Sequence, residues 1–399
     1  MSVGKQRLHP GVWALAVTAF AIGVAEFIVV GVLPAISREL EIPLARAGSL
    51  VGLYALALAV GTPLLVLALA RFPRKPVLLW LIAVFLGGNL VSALSVDYYS
   101  LLAGRIVTAV AHGGFFAMGA TVAARLAPKG QESNAIALMF AGLTLAMVIG
   151  VPLGSFLGNG MGWRLPFFAV VGLAALGFAA SLHWLPALDA SPAARPREQL
   201  AAAFNPAIVT MMMITVLGFG ASFAAFTYIT PILTDITGFS AGTASLLLVV
   251  FGAATLAGNL LGGRLASAIG WQAALRWLLL ALVVVLAVIA WVLPYRGAMG
   301  VMLFFWGGLA FGISPAVQGG MLATAQRYTP KAVDFASALN ISGFNLGISL
   351  GEMAGSSLVA HGQMALTPWA GVAAAALAQI PLAWLARRGR QSARQALAS

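Results

Sequence analysis

The sequence predicts an all-α integral membrane protein, with twelve transmembrane helices in two pseudo-symmetric six-helix bundles and both termini cytoplasmic. Three observations carry this. The chain is too poor in charge to face water, long apolar stretches recur along its whole length, and a charged pattern returns halfway through it.

Of 399 residues, 61% are hydrophobic and 8% are charged. A soluble chain carries about 25% charged residues, so a soluble globular protein is excluded. At about 1.5 Å per residue, some 20 apolar residues cross a hydrocarbon core of about 30 Å. Cysteine is absent, which excludes a disulfide framework, a thiolate metal site and a cysteine nucleophile. The net charge of +12 would suggest nucleic acid on a soluble face; here its placement along the chain makes it a topology signal.

The first span, 12–33, holds Ala25-Glu26-Phe27 and closes at Pro34. It exceeds twenty residues, lacks an A-x-A site and contains Glu26, so it is not a cleavable signal. The second, 47–70, opens on Ala47-Gly48, and the third covers 76–95. The fourth, 99–124, carries Gly104-Arg105 and Ala111-His112-Gly113-Gly114-Phe115-Phe116. The fifth, 134–158, carries Gly150-Val151-Pro152-Leu153-Gly154, and Gly162-Trp163-Arg164 introduces the sixth, 165–186. The seventh, 206–232, holds Phe219, Phe223, Phe226, Tyr228 and Pro231. The eighth to tenth cover 242–266, 272–293 and 298–324, with Gln318 in the tenth. The eleventh, 334–359, has Gly343, Gly347, Gly351 and Gly355 at four-residue spacing, one smooth face for close packing. The twelfth is 367–387.

With the amino terminus cytoplasmic, seventeen of the 22 Lys and Arg fall on that side, and Arg38, Arg46, Arg164 and Arg296 on the other. This asymmetry sets the orientation. Residues 187–204 are the longest polar stretch and read as a cytoplasmic linker between bundles 1–186 and 205–399. The halves repeat: Arg125-x-x-Pro128-Lys129-x-x-Glu132 returns as Arg327-x-x-Pro330-Lys331-x-x-Asp334 six spans later. Two parallel six-helix repeats with a site near the midplane is a transporter architecture.

These fragments, in this order, resemble the major facilitator superfamily over nearly the full length. Within it they resemble the twelve-span drug:proton antiporter branch, and most of all the bacterial sugar-efflux and arabinose-efflux permeases. The likeness rests on Ala25-Glu26-Phe27 with Leu33-Pro34, Gly104-Arg105, the run 111–116, Gly150 to Gly154, and Ser337-Ala338-Leu339-Asn340 with Phe344-Asn345-Leu346-Gly347. There are departures. The loop motif G-x-L-A-D-R-x-G-R-R, expected at Val66 to Lys75, keeps Arg71, Arg74 and Lys75 but has Ala70 in place of Asp. Its echo at Gly263 to Gly270 has Ser267 there. Glu352 stands where this branch usually has a small residue.

Ionisable residues inside spans face a cavity or a partner. Glu26 lies about 21 Å along its span and Arg105 about 9 Å in from the other face, so their depths match. Arginine beside a carboxylate favours its charged form while burial favours the neutral one, a competition suited to loading and releasing a proton. His112, two turns from Arg105 on the same face, is a candidate relay or a structural hydrogen bond. Gly150, Pro152 and Gly154 resemble the antiporter signature, which implies a kinked helix and close approach of the halves. Phe219, Phe223, Phe226, Tyr228, Gln318, Asn340 and Asn345 are candidates for a cavity holding a small organic molecule. Glu352 has three readings: a cationic cargo, a second proton, or water at the outer mouth.

Other chemistries find no support. Gly347-x-Ser349-x-Gly351 matches a hydrolase elbow but sits mid-helix. There is no H-E-x-x-H and no Walker A stretch, and the four histidines are scattered. The expectation is therefore no enzyme, no cofactor, no metal and no nucleic acid, and the spans are too apolar for a channel. The resemblance implies export of small molecules in exchange for protons by a monomer in a bacterial inner membrane. A proton symporter or facilitator taking up a polar nutrient stays open on the residues alone.

Overall fold

The structure, a computed structural model, describes residues 8–69, 72–128, 132–188 and 196–398. Lys5, Arg7, Ala70, Arg71, Lys129, Arg195 and the middle of the expected linker lie outside these residues.

All elements among the described residues are helical. They are α1 (Pro10–Glu39), α2 (Leu44–Leu69), α3 (Arg74–Ala93), α4 (Tyr98–Leu126), α5 (Glu132–Leu145), α6 (Val151–Met161), α7 (Arg164–Trp184) and α8 (Pro196–Ala203). There follow α9 (Pro206–Phe226), α10 (Ile229–Pro231), α11 (Ala241–Ile269), α12 (Trp271–Val292), α13 (Arg296–Tyr328), α14 (Val333–Ala360) and α15 (Thr367–Ala398). Among the described residues, eleven helical segments are long and apolar enough to cross a membrane. The eleventh expected span, 334–359, forms α14 at full length but is not among them. Asn340, Ser342, Asn345, Ser349 and Glu352 lower its hydropathy, and all five are buried.

The chain forms two compact units, 1–42 with 60–193 and 43–59 with 194–399. Thus α2 is divided: its first half belongs to the second unit and its second half to the first.

In the first unit α1 is the central helix. It is apolar all round and buried along almost its whole length from Gly11 to Ile36, as a helix surrounded by others must be. It packs against α4, α5, α6 and α7, while α3 packs against α4 and α7. Pro34 does not end α1, as expected from the sequence; the helix runs on to Glu39. A proline removes one donor and crowds the preceding turn, and membrane helices tolerate that where neighbours cover the freed carbonyl.

Pro152 acts more visibly. The turn before it, Ala146–Gly150, widens into a π-helix, relieving the clash of the ring with the carbonyl four residues back. Within the first unit these glycines face α1. A Cβ on Gly150 would lie 2.3 Å from Val24 Cγ2, and one on Gly154 1.9 Å from Ile28 Cδ1. Gly162 has φ +98° and makes the turn into α7. Next to it Trp163 is buried, and Arg164 pairs with Glu39 and donates to the Ser95 carbonyl at 2.8 Å.

In the second unit α9 takes the place of α1. It packs against α13, α14 and α15, and α12 packs against α13 and α15. The pairings of the first unit recur with the corresponding helices, as an internal repeat requires. The glycine face of α14 meets the α9 backbone: a Cβ on Gly347 would lie 2.6 Å from Val216 O, on Gly351 2.3 Å from Gly220 O, and on Gly355 2.2 Å from Ala224 O. The α11–α13 pair is tighter still, with Gly258 and Gly262 each leaving a Cβ only 1.9 Å from a carbonyl, those of Gly308 and Gly312.

Two predictions follow from this packing. Gly258→Ala must push α13 away and lowers stability by about 1–3 kcal/mol. Gly87→Ala, where a Cβ meets nothing within 4 Å, leaves the melting temperature unchanged or raised. Tryptophan-fluorescence melting of both variants in detergent checks the pair. The second concerns Asp97, the N-cap of α4, whose carboxylate accepts the Ser100 N–H at 2.8 Å. That bond, with the Ser100 hydroxyl, holds its pKa below the ordinary aspartate value. A lowered folded pKa stabilises the fold fully above the unfolded value of about 3.9 and loses that stabilisation as pH falls through the folded one. Asp97→Asn keeps an N-cap acceptor and should flatten the acid end of the melting-temperature profile.

Candidate functional site

The first unit brings Glu26, Arg105 and His112 inside together. Their exposures are 8%, 1% and 7%. Gly104 lets α4 lie against α3, since a Cβ there would sit 2.6 Å from Gly88 O, and this sets the register of Arg105 beside it. The Arg105 guanidinium donates to the main-chain carbonyl of Ala25 and to that of Glu26 at 3.2 Å. Arg105 therefore grips the α1 backbone at the residue whose side chain is ionisable, and its positive charge acts on the Glu26 carboxyl. A guanidinium can do this because its donors form a fixed fork. His112 is placed two turns farther along α4, with its ring 5.1 Å from the Phe116 ring.

The second unit holds two polar clusters. In one, Thr215 Oγ1 donates to Asn340 Oδ1 at 2.6 Å, Asn340 Nδ2 to Gln318 Oε1 at 2.7 Å, and Gln318 Nε2 to Ser337 Oγ at 2.7 Å. This chain of hydrogen bonds ties α9, α13 and α14 together and places the expected Gln318 and Asn340 side by side. In the other, Tyr228 donates to Glu352 Oε1 at 3.0 Å. Pro231 has no N–H, so the helix opens around Thr227 and Tyr228, between α9 and α10. That break aims the phenol at α14.

Glu352 has an exposure of 1%, so the reading of a carboxylate in outer water is set aside. Asn345 is buried; its Nδ2 donates to the Ile341 carbonyl at 3.0 Å, and its Oδ1 makes no hydrogen bond within the protein. The buried Ser342 hydroxyl likewise makes none. Phe223 is buried in an aromatic row with Phe219 and Phe226, the last stacked on Phe251 at 4.7 Å. Phe219 also meets Phe311 and Phe344.

Sequence reasoning missed Thr215, Ser337 and Ser356. One signal was available. Ser342, Asn345, Ser349, Glu352 and Ser356 follow at spacings of three and four, a polar stripe along one helix face.

Each unit is built on a central helix with matching partners, and each shuts ionisable groups inside. The comparisons place the chain. Residues 15–352 match the Major Facilitator Superfamily, and the chain belongs to that family of transporters. It is 38% identical over 396 residues to the uncharacterized MFS-type transporter YtbD of Bacillus subtilis (strain 168), covering 98% of this chain and 100% of that one. It is 36% identical over 349 residues to the inner membrane transport protein YdhP of Escherichia coli (strain K12), covering 88% of each. Among solved structures it is similar to a D-xylose–proton symporter, with a TM-score of 0.73 at 15% identity, covering 93% of this chain and 96% of that one. It is also similar to an inward-facing bacterial homologue of the human lysosomal transporter Spinster, with a TM-score of 0.72 at 16% identity, covering 94% and 96%. At these identities the structures show the shared fold.

Asn340→Ala breaks two links of the chain and leaves the half-buried Gln318 Oε1 without its donor. The expected loss is about 1–3 kcal/mol, read as a lowered melting temperature.

Proposed function

We propose that this chain exports small organic molecules, sugars or drugs, across the cell inner membrane in exchange for protons. It works as a monomer by alternating access. Twelve spans with both termini cytoplasmic form two six-helix bundles, 1–186 and 205–399, joined by the 187–204 segment. What supports the reading most is the buried meeting of Glu26 with Arg105: a carboxyl able to carry a proton, next to a fixed positive charge that does not titrate. A proton entering from outside binds the Glu26 carboxylate, and it leaves to the cytoplasm when the carboxyl next meets water there. His112 lies on the same helix face as a relay.

The cargo would sit against Phe223 and the polar groups Gln318, Asn340 and Asn345, and would meet Tyr228 and Glu352 only when these part from Gly48 and Gly52. The uncommitted Asn345 Oδ1 supplies an acceptor for a cargo hydroxyl or amide. Pro152 and its glycines hold the bent fifth span tightly on α1, which keeps Glu26 in register.

The experiment is transport in liposomes loaded with a pH-sensitive dye, under an inward proton gradient. A panel of sugars, amphenicol drugs and nucleosides is added one at a time. A compound-dependent proton flux is expected in the wild type and is lost in Glu26→Gln. Arg105→Lys keeps the charge but cannot span two carbonyls, and should cut the flux at least tenfold. Cargo movement with no proton movement would overturn the exchange and leave a facilitator.

A further inference from the structure

Glu352 is the buried carboxyl that the exchange at Glu26 does not use. Its setting is built by three segments of the second unit. Tyr228, fully buried, donates to Oε1. Ser356, one turn along α14, hydrogen-bonds with the carboxyl and also donates to the Ala45 carbonyl at 3.0 Å. On the third side lies α2, which presents glycine where these groups press: a Cβ on Gly52 would come 2.2 Å from Glu352 Oε2, and one on Gly48 2.1 Å from the Tyr228 hydroxyl oxygen.

Among the described residues of these segments, the partners of the Glu352 carboxyl are the hydroxyls of Tyr228 and Ser356, and neither is a cation. The titratable groups there are Tyr228, in contact, the buried Tyr54 two residues along α2 from Gly52, and the exposed Arg46 and His361. Arg46 is about 9 Å along α2 from Gly52, and His361 about 13 Å along α14 from Glu352. Helix α9 has no ionisable residue. In α13 the charges are Arg296 and Arg327, at its two ends, and the charges of α15, Arg387, Arg388, Arg390 and Arg394, fall toward its carboxyl-terminal end; Arg296 is held on the carbonyls of Thr237 and Gly238.

A carboxylate shut away from water needs its charge balanced, and hydroxyl donors supply hydrogen bonds but no charge. The balancing species must also fit. The seat has no room for a methyl group at Gly52, so it has none for an organic ammonium or a hydrated metal ion. A proton requires no added space. We propose that Glu352 binds and releases a proton in the transport cycle, as a second proton site separate from Glu26.

Seated on the Gly48–Gly52 face, the group is the acid, with Tyr228 donating to its carbonyl oxygen. When the cluster leaves that face, the O–H bond breaks, the proton goes to water, and the carboxylate stays held by Tyr228. The role in the cycle rests on the proton-exchange reading above; occupancy of the site by a proton does not.

The test is pH-difference infrared spectroscopy of the full chain in lipid nanodiscs. The wild type should show the carbonyl-stretch band of a protonated carboxyl that disappears at alkaline pH. Glu352→Gln should lack that band, while Tyr228→Phe should keep it, shifted to higher frequency by the lost hydrogen bond. A Glu352→Gln spectrum equal to the wild type, or a band indifferent to Tyr228→Phe, overturns the site. The second comparison holds even if Glu352→Gln does not fold. In the liposome assay Glu352→Gln should halve the protons moved per cargo molecule. Flux absent in the wild type defeats the exchange reading; flux present with an unchanged ratio defeats this inference.

Discussion

Contact between helix backbones at glycine is the interaction on which this structure depends. Lipid is as apolar as leucine, so burying leucine between helices gains little in a bilayer. Dispersion and main-chain contact remain, and both need axes to come close. The chain meets that need with small residues at each tight crossing: Gly258 and Gly262 against Gly308 and Gly312 of α13, Gly347, Gly351 and Gly355 against α9, and Gly150 and Gly154 against α1. Everything polar inside is placed by these crossings. Arg105 reaches the carbonyls of α1 because Gly104 beside it lies on α3. Glu352 is seated because α2 offers Gly52 rather than a side chain.

The same constraint separates two kinds of buried polar group. Thr215, Asn340, Gln318 and Ser337 use one another up and tie three helices together. Ser342 and the Asn345 carbonyl oxygen remain uncommitted on the adjoining face of α14. Buried polar atoms usually find partners, so these two differ from the chain of hydrogen bonds beside them.

Much of this was legible in the sequence. The four-residue spacing of Gly343 to Gly355 already meant one smooth helix face, because that spacing follows the helical turn. Its partner was not legible, since a small face does not name what lies against it. Glu26 and Arg105 were matched by depth and by the resemblance, but their link runs through main-chain carbonyls, which no residue code reveals. Pro34 was misread as a helix end because proline is a weaker breaker in lipid than in water. The division of α2 between the units was hidden for another reason: membership is set by neighbours far along the chain. The polar stripe from Ser342 to Ser356 was written in the residues, but it was masked by the glycines interleaved with it.

The composition of α14 bears on how the chain is assembled. A helix with this many polar groups has weak affinity for lipid when it emerges alone from the translocation machinery. Its partners α9 and α13, both long and apolar enough to cross a membrane, precede it in the chain, so they are made before it. Insertion of α14 is then an act of docking onto protein rather than of partitioning into lipid. Biogenesis of the carboxyl-terminal third thus depends on the order in which its helices are made.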